Sequence, residues 1–441
     1  TASNSVNLTL NSVGVTTAVS VDAIVPTVAE ITAVSTPSDD STPNVTISTT
    51  EAGTLSVGGS CGSADEGAIS SGNTSITLTQ TDNSTVLSDG TYSDCTITVT
   101  DAAGNANTAI TLTTFVVDAT APTTTALTLP TSATYISGQN LDFTVNFDEN
   151  VMVNTVGGTP QLSIIIGSTT RQATYQSGSG STALLFRYVI QNDENDSDGI
   201  AIGSLTANGG TIKDGASNNA LLTLNSTGSI TGVLVDALAP LTTSMSVPAN
   251  ATYIAAQNLD FSVNFNESVI VNTVGGTPQL TLTIGSTSRQ AIYLSGSGTS
   301  ALLFRYTVQE GENDSDGITI GNLAANGGTI RDAASNNASL TLNSVGVTTG
   351  VLVDSIAPIV AEVTAVLTPN TDTTPDFTIS TTKAGNLSIG GSCGSADEGS
   401  ISSGNTTITL TQTDNTTALA EGTYSDCTIT VTDAVGNASA A

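Results

Sequence analysis

The chain repeats itself in register over most of its length, and this constrains its architecture more than any single motif. Ser60-Cys61-Gly62-Ser63-Ala64-Asp65-Glu66-Gly67 returns as Ser392-Cys393-Gly394-Ser395-Ala396-Asp397-Glu398-Gly399, an offset of 332 (393 − 61), and Cys95 returns as Cys427 at the same offset. Within that interval Phe186-Arg187-Tyr188 returns as Phe304-Arg305-Tyr306, an offset of 118 (304 − 186). A chain built this way is an array of modules, and arrays set distance, valency and stiffness.

The boundaries recur too. A Val-Asp-Xaa-Xaa-Xaa-Pro phrase begins at Val21-Asp22, Val117-Asp118, Val235-Asp236 and Val353-Asp354. Each ends an apolar run, and its proline stops ladder pairing and stiffens the crossing. Cutting there gives an A module (23–118), two B modules (119–236 and 237–354) and a second A module (355–441). Residues 1–22 match 333–354 and are expected to be the C-terminal strands of a preceding B module. The second A module ends before the counterpart of Ile110–Asp118, an expected last strand. A window cut from a longer polymer explains this more plainly than strand donation between subunits, because the N-terminal strand is of B type. Short linkers predict an extended rod.

Inside the modules the period is two. Leu141, Phe143, Val145 and Phe147 alternate with polar residues, as do Leu259, Phe261, Val263 and Phe265 at the same offsets, and Leu162, Ile164 and Ile166 repeat the pattern. Cys95 is in phase with Ile97 and Val99, which puts its sulfur on the core side. Thr, Ser, Val, Ile, Gly and Asn dominate the remainder, so strand formers alternate with turn formers. The expected fold is all-β, a tandem series of Ig-like antiparallel β-sandwiches in an extended array.

With 8 Phe, 8 Tyr and no Trp, each core is small and aliphatic, and small cores invite staples. Cys61 and Cys95 lie 34 apart (95 − 61), as do Cys393 and Cys427. One repeated spacing reads as one disulfide per A module and an oxidising compartment; two buried free thiols are the alternative. Lys and Arg total 7 against 38 Asp and Glu, a net charge of −31, which excludes nucleic acid as a partner and disfavours anionic membranes. No run of 18 apolar residues exists to span a membrane, and no signal peptide is visible in a chain that starts in mid-module. There is no His to act as a general base, and the cysteines are expected to be paired, so the expectation is that the chain is not an enzyme. Lys213 aligns with Arg331, which argues against an isopeptide bond shared by the B modules.

The strongest candidate site is the acidic loop Glu194-Asn195-Asp196-Ser197-Asp198-Gly199, repeated as Glu312-Asn313-Asp314-Ser315-Asp316-Gly317. Carboxylates at alternate positions before a glycine imitate the first half of a calcium loop. Leu205 stands where an EF-hand would place its bidentate Glu, so further ligands must come from elsewhere, with Asp214, Asp332, Glu149 and Glu267 as contributors. The alternative is a solvated acidic hairpin kept for solubility.

The phrase Gly90-Thr91-Tyr92-Ser93-Asp94-Cys95-Thr96-Ile97-Thr98-Val99-Thr100-Asp101-Ala102-Ala103-Gly104-Asn105 resembles the bacterial Ig-like repeats of giant secreted and cell-surface adhesins of the RTX/Bap type. In the B modules, Asn146-Phe147-Asp148-Glu149-Asn150-Val151, Gly158-Thr159-Pro160-Gln161-Leu162 and Asp196-Ser197-Asp198-Gly199-Ile200 resemble another Ig-like repeat of the same large surface proteins. The resemblance implies calcium held by linker and Asp-Xaa-Xaa-Gly-Asn residues: Asp22, Asp118, Asp236 and Asp354 at the junctions, and Asp101 with Asn105 and Asp433 with Asn437 in the A turns. An Asx-turn closing on its own backbone is the alternative for those turns. Glu51 is set aside as a ligand, because its repeat partner is Lys383.

The expected function is that of a calcium-stiffened spacer in an extracellular fibre, stalk or adhesin, with neighbouring repeats of the same or identical chains as partners. The competing readings are a module that binds glycan or another cell, and a subunit of a multi-chain surface filament.

Overall fold

A computed structural model describes residues 20–225, 227 and 230–441. The matched segment 1–19, and with it most of the expected tail of a preceding B module, lies outside the described residues. Among the described residues all regular structure is strand. The chain divides into two compact units, residues 1–236 and 237–441.

In the first unit, the A module folds as two sheets. One holds Val28–Thr32, Asn44–Thr49 and Gly72–Thr77; the other orders Gly67–Ile69, Gly53–Gly58, Thr96–Asp101 and Ile110–Thr111, and the pair Gly90–Tyr92 and Phe115–Val117 stands beside them. Val45, Ile47, Leu55, Ile76, Ile97 and Val99 pack between them, each 1% exposed or less. Period-two alternation directs these side chains inward, as the sequence pattern requires.

The B module of this unit has a seven-stranded sheet. Thr124–Thr128, Asn140–Asn154, Ser181–Val189, Thr169–Ser177, Gln161–Ile166 and Ala201–Thr206 follow one another across it, and Thr211–Lys213 pairs with the far end of Asn140–Asn154. A smaller sheet sets Val233–Asp236 between Ala133–Tyr135 and Asn195–Asp196. Two pairings depart from the antiparallel expectation: Ala133–Tyr135 runs parallel to Val233–Asp236, and an isolated bridge between Thr123 and Leu221 is parallel too. Leu141, Phe143, Val145 and Phe147 are buried as their spacing predicts.

In the second unit, the B module repeats both sheets strand for strand at the offset of 118, including its parallel pair. Its core draws only on residues between Met245 and Val353. The second A module repeats the three-stranded sheet of the first as Val360–Thr364, Asp376–Thr381 and Gly404–Thr409, and three strands of its other sheet as Gly399–Ile401, Gly385–Gly390 and Thr428–Thr432.

Disulfides join Cys61 to Cys95 and Cys393 to Cys427, with Cα atoms 5.2 and 5.3 Å apart, and there are no free cysteines. No helix among the described residues is long and apolar enough to cross a membrane.

Candidate metal centre

Three parts of the A module meet at its linker. Asp22 ends the Val-Asp phrase and folds an Asx-turn, its Oδ1 accepting from Ile24 N at 3.1 Å. Glu51 stands in the tight turn between Asn44–Thr49 and Gly53–Gly58, where Thr49 Oγ1 donates to Glu51 O at 2.9 Å. Asp101 closes the strand Thr96–Asp101 and opens the Asp-Xaa-Xaa-Gly-Asn turn, whose Gly104 takes a φ of 95° that suits glycine. Each of the three carboxylates brings an oxygen within 4.8 Å of the others.

The Asn of that turn ties it to the linker. Asn105 Nδ2 donates to Asp101 Oδ2 at 2.8 Å and to the Asp22 carbonyl at 3.2 Å. Asp101 Oδ1 accepts from the Ala103 and Asn105 amides, both at 2.8 Å. The Asn105 side chain first, and the turn amides with it, hold the Asp101 carboxyl below its usual range against the opposing effect of burial.

The first B module builds the same arrangement on different strands. Its linker Asp118, Glu149 and Asp214 also lie within 4.8 Å of one another. Glu149 reaches the junction because the ladder of Asn140–Asn154 against Ser181–Val189 slips between Asn146 and Val151, freeing that stretch from regular pairing. Asn218 Nδ2 bridges Asp214 Oδ2 and the Asp118 carbonyl, at 2.7 Å each. Ser217 sits where the A module has glycine, at a φ of 88°. Burial, then the charges of Asp118 and Asp214, push the Glu149 carboxyl above its ordinary value. Three acids with no basic partner repel one another, and a cation would relieve that repulsion.

The linker here is gripped from both sides. Asp89 of the A module accepts from Ala119 N at 2.8 Å and from Thr120 Oγ1, while Asp148 of the B module accepts from Thr123 N at 2.8 Å.

In the second unit, Asp354 and Asp433 take the places of Asp22 and Asp101, and Asn437 Nδ2 again bridges the linker carbonyl (2.9 Å) and the turn carboxylate (3.0 Å). Ser355 clamps this linker to the preceding B module, accepting through Oγ from Glu312 N at 2.8 Å and donating its own amide to Glu312 O at 2.8 Å. Asp332 with Asn336 forms the same turn as Asp214 with Asn218. Asp236 ends the strand Val233–Asp236 opposite Asn195, and Glu267 is half-buried in Asn258–Asn272.

The acidic loop does something else. Glu194 is buried, and Oε1 accepts from Arg171 Nε at 2.5 Å and Tyr188 OH at 2.6 Å, while Oε2 accepts from Gln191 N at 2.9 Å. Burial and the bond to Glu194 push the Tyr188 hydroxyl up to about 12. Asp196 is filled by Gly167 N at 2.7 Å and Gly199 N at 2.9 Å, and Asp198 is exposed. Glu312, Asp314 and Asp316 repeat these roles with Arg289, Tyr306, Gly285 and Gly317. Glu194, Asp196, Glu312 and Asp314 therefore face protein donors, Asp198 and Asp316 stay exposed, and the loop does not gather its carboxylates at one point, contrary to the calcium-loop expectation. The loop's contribution is indirect: its short strand Asn313–Asp314 pairs with Val351–Asp354 and so sets the junction aspartate.

Two residues escaped the sequence reading. Glu51 was discounted for its lysine counterpart, although it converges with Asp22 and Asp101. Asn218 was not singled out, yet its spacing of four from Asp214 matches that of Asn105 from Asp101 and was open to inspection.

No protein-family model and no curated protein matches the chain. Among solved structures, a marsupial T cell receptor is similar at 13% identity and a TM-score of 0.28, over 69% of this chain and 98% of that one. The plexin A4 full extracellular region is similar at 12% identity and a TM-score of 0.16, over 89% of this chain and 29% of that one. A Salmonella alpha-2-macroglobulin mutant is similar at 10% identity and a TM-score of 0.14, covering 92% and 31%. Likeness at this level carries no argument about activity, and the fold rests on the sheets and cores described above.

Proposed function

We propose that this chain is a structural repeat segment of an extracellular fibre, stalk or adhesin, acting as a spacer whose joints are stiffened by calcium. The observation that carries the reading is the convergence of linker, turn and strand carboxylates at Asp22, Glu51 and Asp101, and again at Asp118, Glu149 and Asp214. The donors are all oxygens, which suits a hard cation of flexible coordination better than zinc. A cation there would join each module to the linker before it, which is what a spacer needs from its joints. The paired cysteines support an oxidising compartment.

The resemblance to tandem adhesin repeats agrees with this reading. A glycan-binding module wants aromatic faces at loop tips, whereas Phe115, Phe143, Phe186, Phe261 and Phe304 are fully buried. Thermal melting and small-angle scattering with calcium and with chelator test the proposal. Chelation is expected to lower the melting temperature and broaden the distribution of chain dimensions; identical curves would reject it.

A further inference from the structure

We infer that Lys383 is a resident counterion that takes the place of a metal ion at the joint between the second B module and the second A module, leaving that joint metal-independent. The inference rests on the calcium reading of the joints at Asp22 and Asp118.

Lys383 lies 332 residues after Glu51 (383 − 51) and occupies the same turn, with Thr381 Oγ1 donating to Lys383 O at 2.9 Å as Thr49 does to Glu51. Its ammonium meets both oxygens of Asp354, at 2.7 and 2.9 Å, and Asp433 Oδ2 at 3.0 Å. An ammonium has three donors, and three carboxylate oxygens receive them. The remaining parts are unchanged: Asn437 spans the same two groups as Asn105 and Asn218, and the amides of Val435, Gly436 and Asn437 fill Asp433 Oδ1 at 2.8–3.1 Å.

The charge count also matches. Three carboxylates with a divalent ion carry the same formal charge as two carboxylates with one ammonium. The substitution therefore preserves the electrostatics of a filled joint while removing the need for an external ion. Burial pulls the Lys383 pKa down, but its hydrogen bonds to Asp354 and Asp433 and their charges outweigh this and hold it above the ordinary lysine value. Here the paired aspartates already face a positive charge supplied by the chain.

The test is equilibrium dialysis of chelator-stripped full chain against calcium, comparing wild type with Lys383→Glu and Glu51→Lys. K383E should bind one calcium more than wild type, and E51K one fewer. An unchanged count in E51K, or in folded K383E, while wild type binds calcium overturns the inference and leaves the spacer proposal standing. Wild type that binds no calcium overturns both. Because E51K adds a positive charge to an acidic cluster, it keeps the test decisive if K383E fails to fold.

Discussion

Residues 51 and 383 occupy the same turn in two copies of one module and carry opposite charges, yet each faces an aspartate from the linker and an aspartate from the Asp-Xaa-Xaa-Gly-Asn turn. In the first copy the site is three acids seeking a positive charge; in the second the positive charge is part of the chain. What the fold holds constant is the geometry of the joint. On the proposed reading the identity of the cation varies between the copies, and with it the response of the joint to the medium.

Reduction of the disulfides should produce the largest effect and treat the two A modules alike, since each bridge closes a loop of the same separation, 34 residues. Cys61→Ser with Cys95→Ser is expected to cost about 3–4 kcal/mol by the loop-closure estimate, read by urea denaturation. Calcium should separate the copies. At a free concentration about a hundredfold above Kd each filled site adds about 2.7 kcal/mol, so calorimetry should show the first unit gaining stability while the Asp354 joint stays indifferent.

The bridging asparagines come next and should matter at every joint. Asn218→Ala or Asn437→Ala leaves a linker carbonyl and a carboxylate short of a donor, at about 1–3 kcal/mol each in chemical denaturation. Acid should then move the metal-free joints in opposite directions, the Asp118 joint at the milder pH. Glu149 titrates above its unfolded value, so the Asp118 joint gains stability as pH falls from neutral into the carboxylate range. For Asp433 burial pushes upward, but Asn437 and Lys383 prevail and hold it low, so its contribution is present above the ordinary Asp value and lost as pH falls through its depressed one. Melting against pH in chelator checks both signs. The smallest effect belongs to Ser217→Gly, which relieves a left-handed backbone at the position where the A modules use glycine. A gain of up to about 1 kcal/mol is expected in the same assay.

Much of this was open to reading in the sequence. Alternation placed Leu141 to Phe147 and Cys95 on core faces, and the repeat offsets located the four linkers, because burial and periodicity are local properties. Residue type located the acids; it did not reveal which donors would reach them. Arg171 and Tyr188 come from other strands to satisfy Glu194, so a loop that spells half a calcium site is a hydrogen-bonded support. Glu149 reaches its joint through a slip in the ladder that no pattern announces. Lys383 misled the reading of Glu51, because a charge reversal looks like the loss of a ligand until its two aspartate partners are seen.

The central claim is that the joints are closed by a cation, supplied from outside at Asp118 and from within at Asp354. Amide hydrogen exchange at the turns following Asp214 and Asp433, measured in calcium and again in chelator, tests it most directly. The account predicts that the Asn218 amide loses protection when calcium is removed while the Asn437 amide keeps its own. Equal loss at both, or no loss at either, would contradict it.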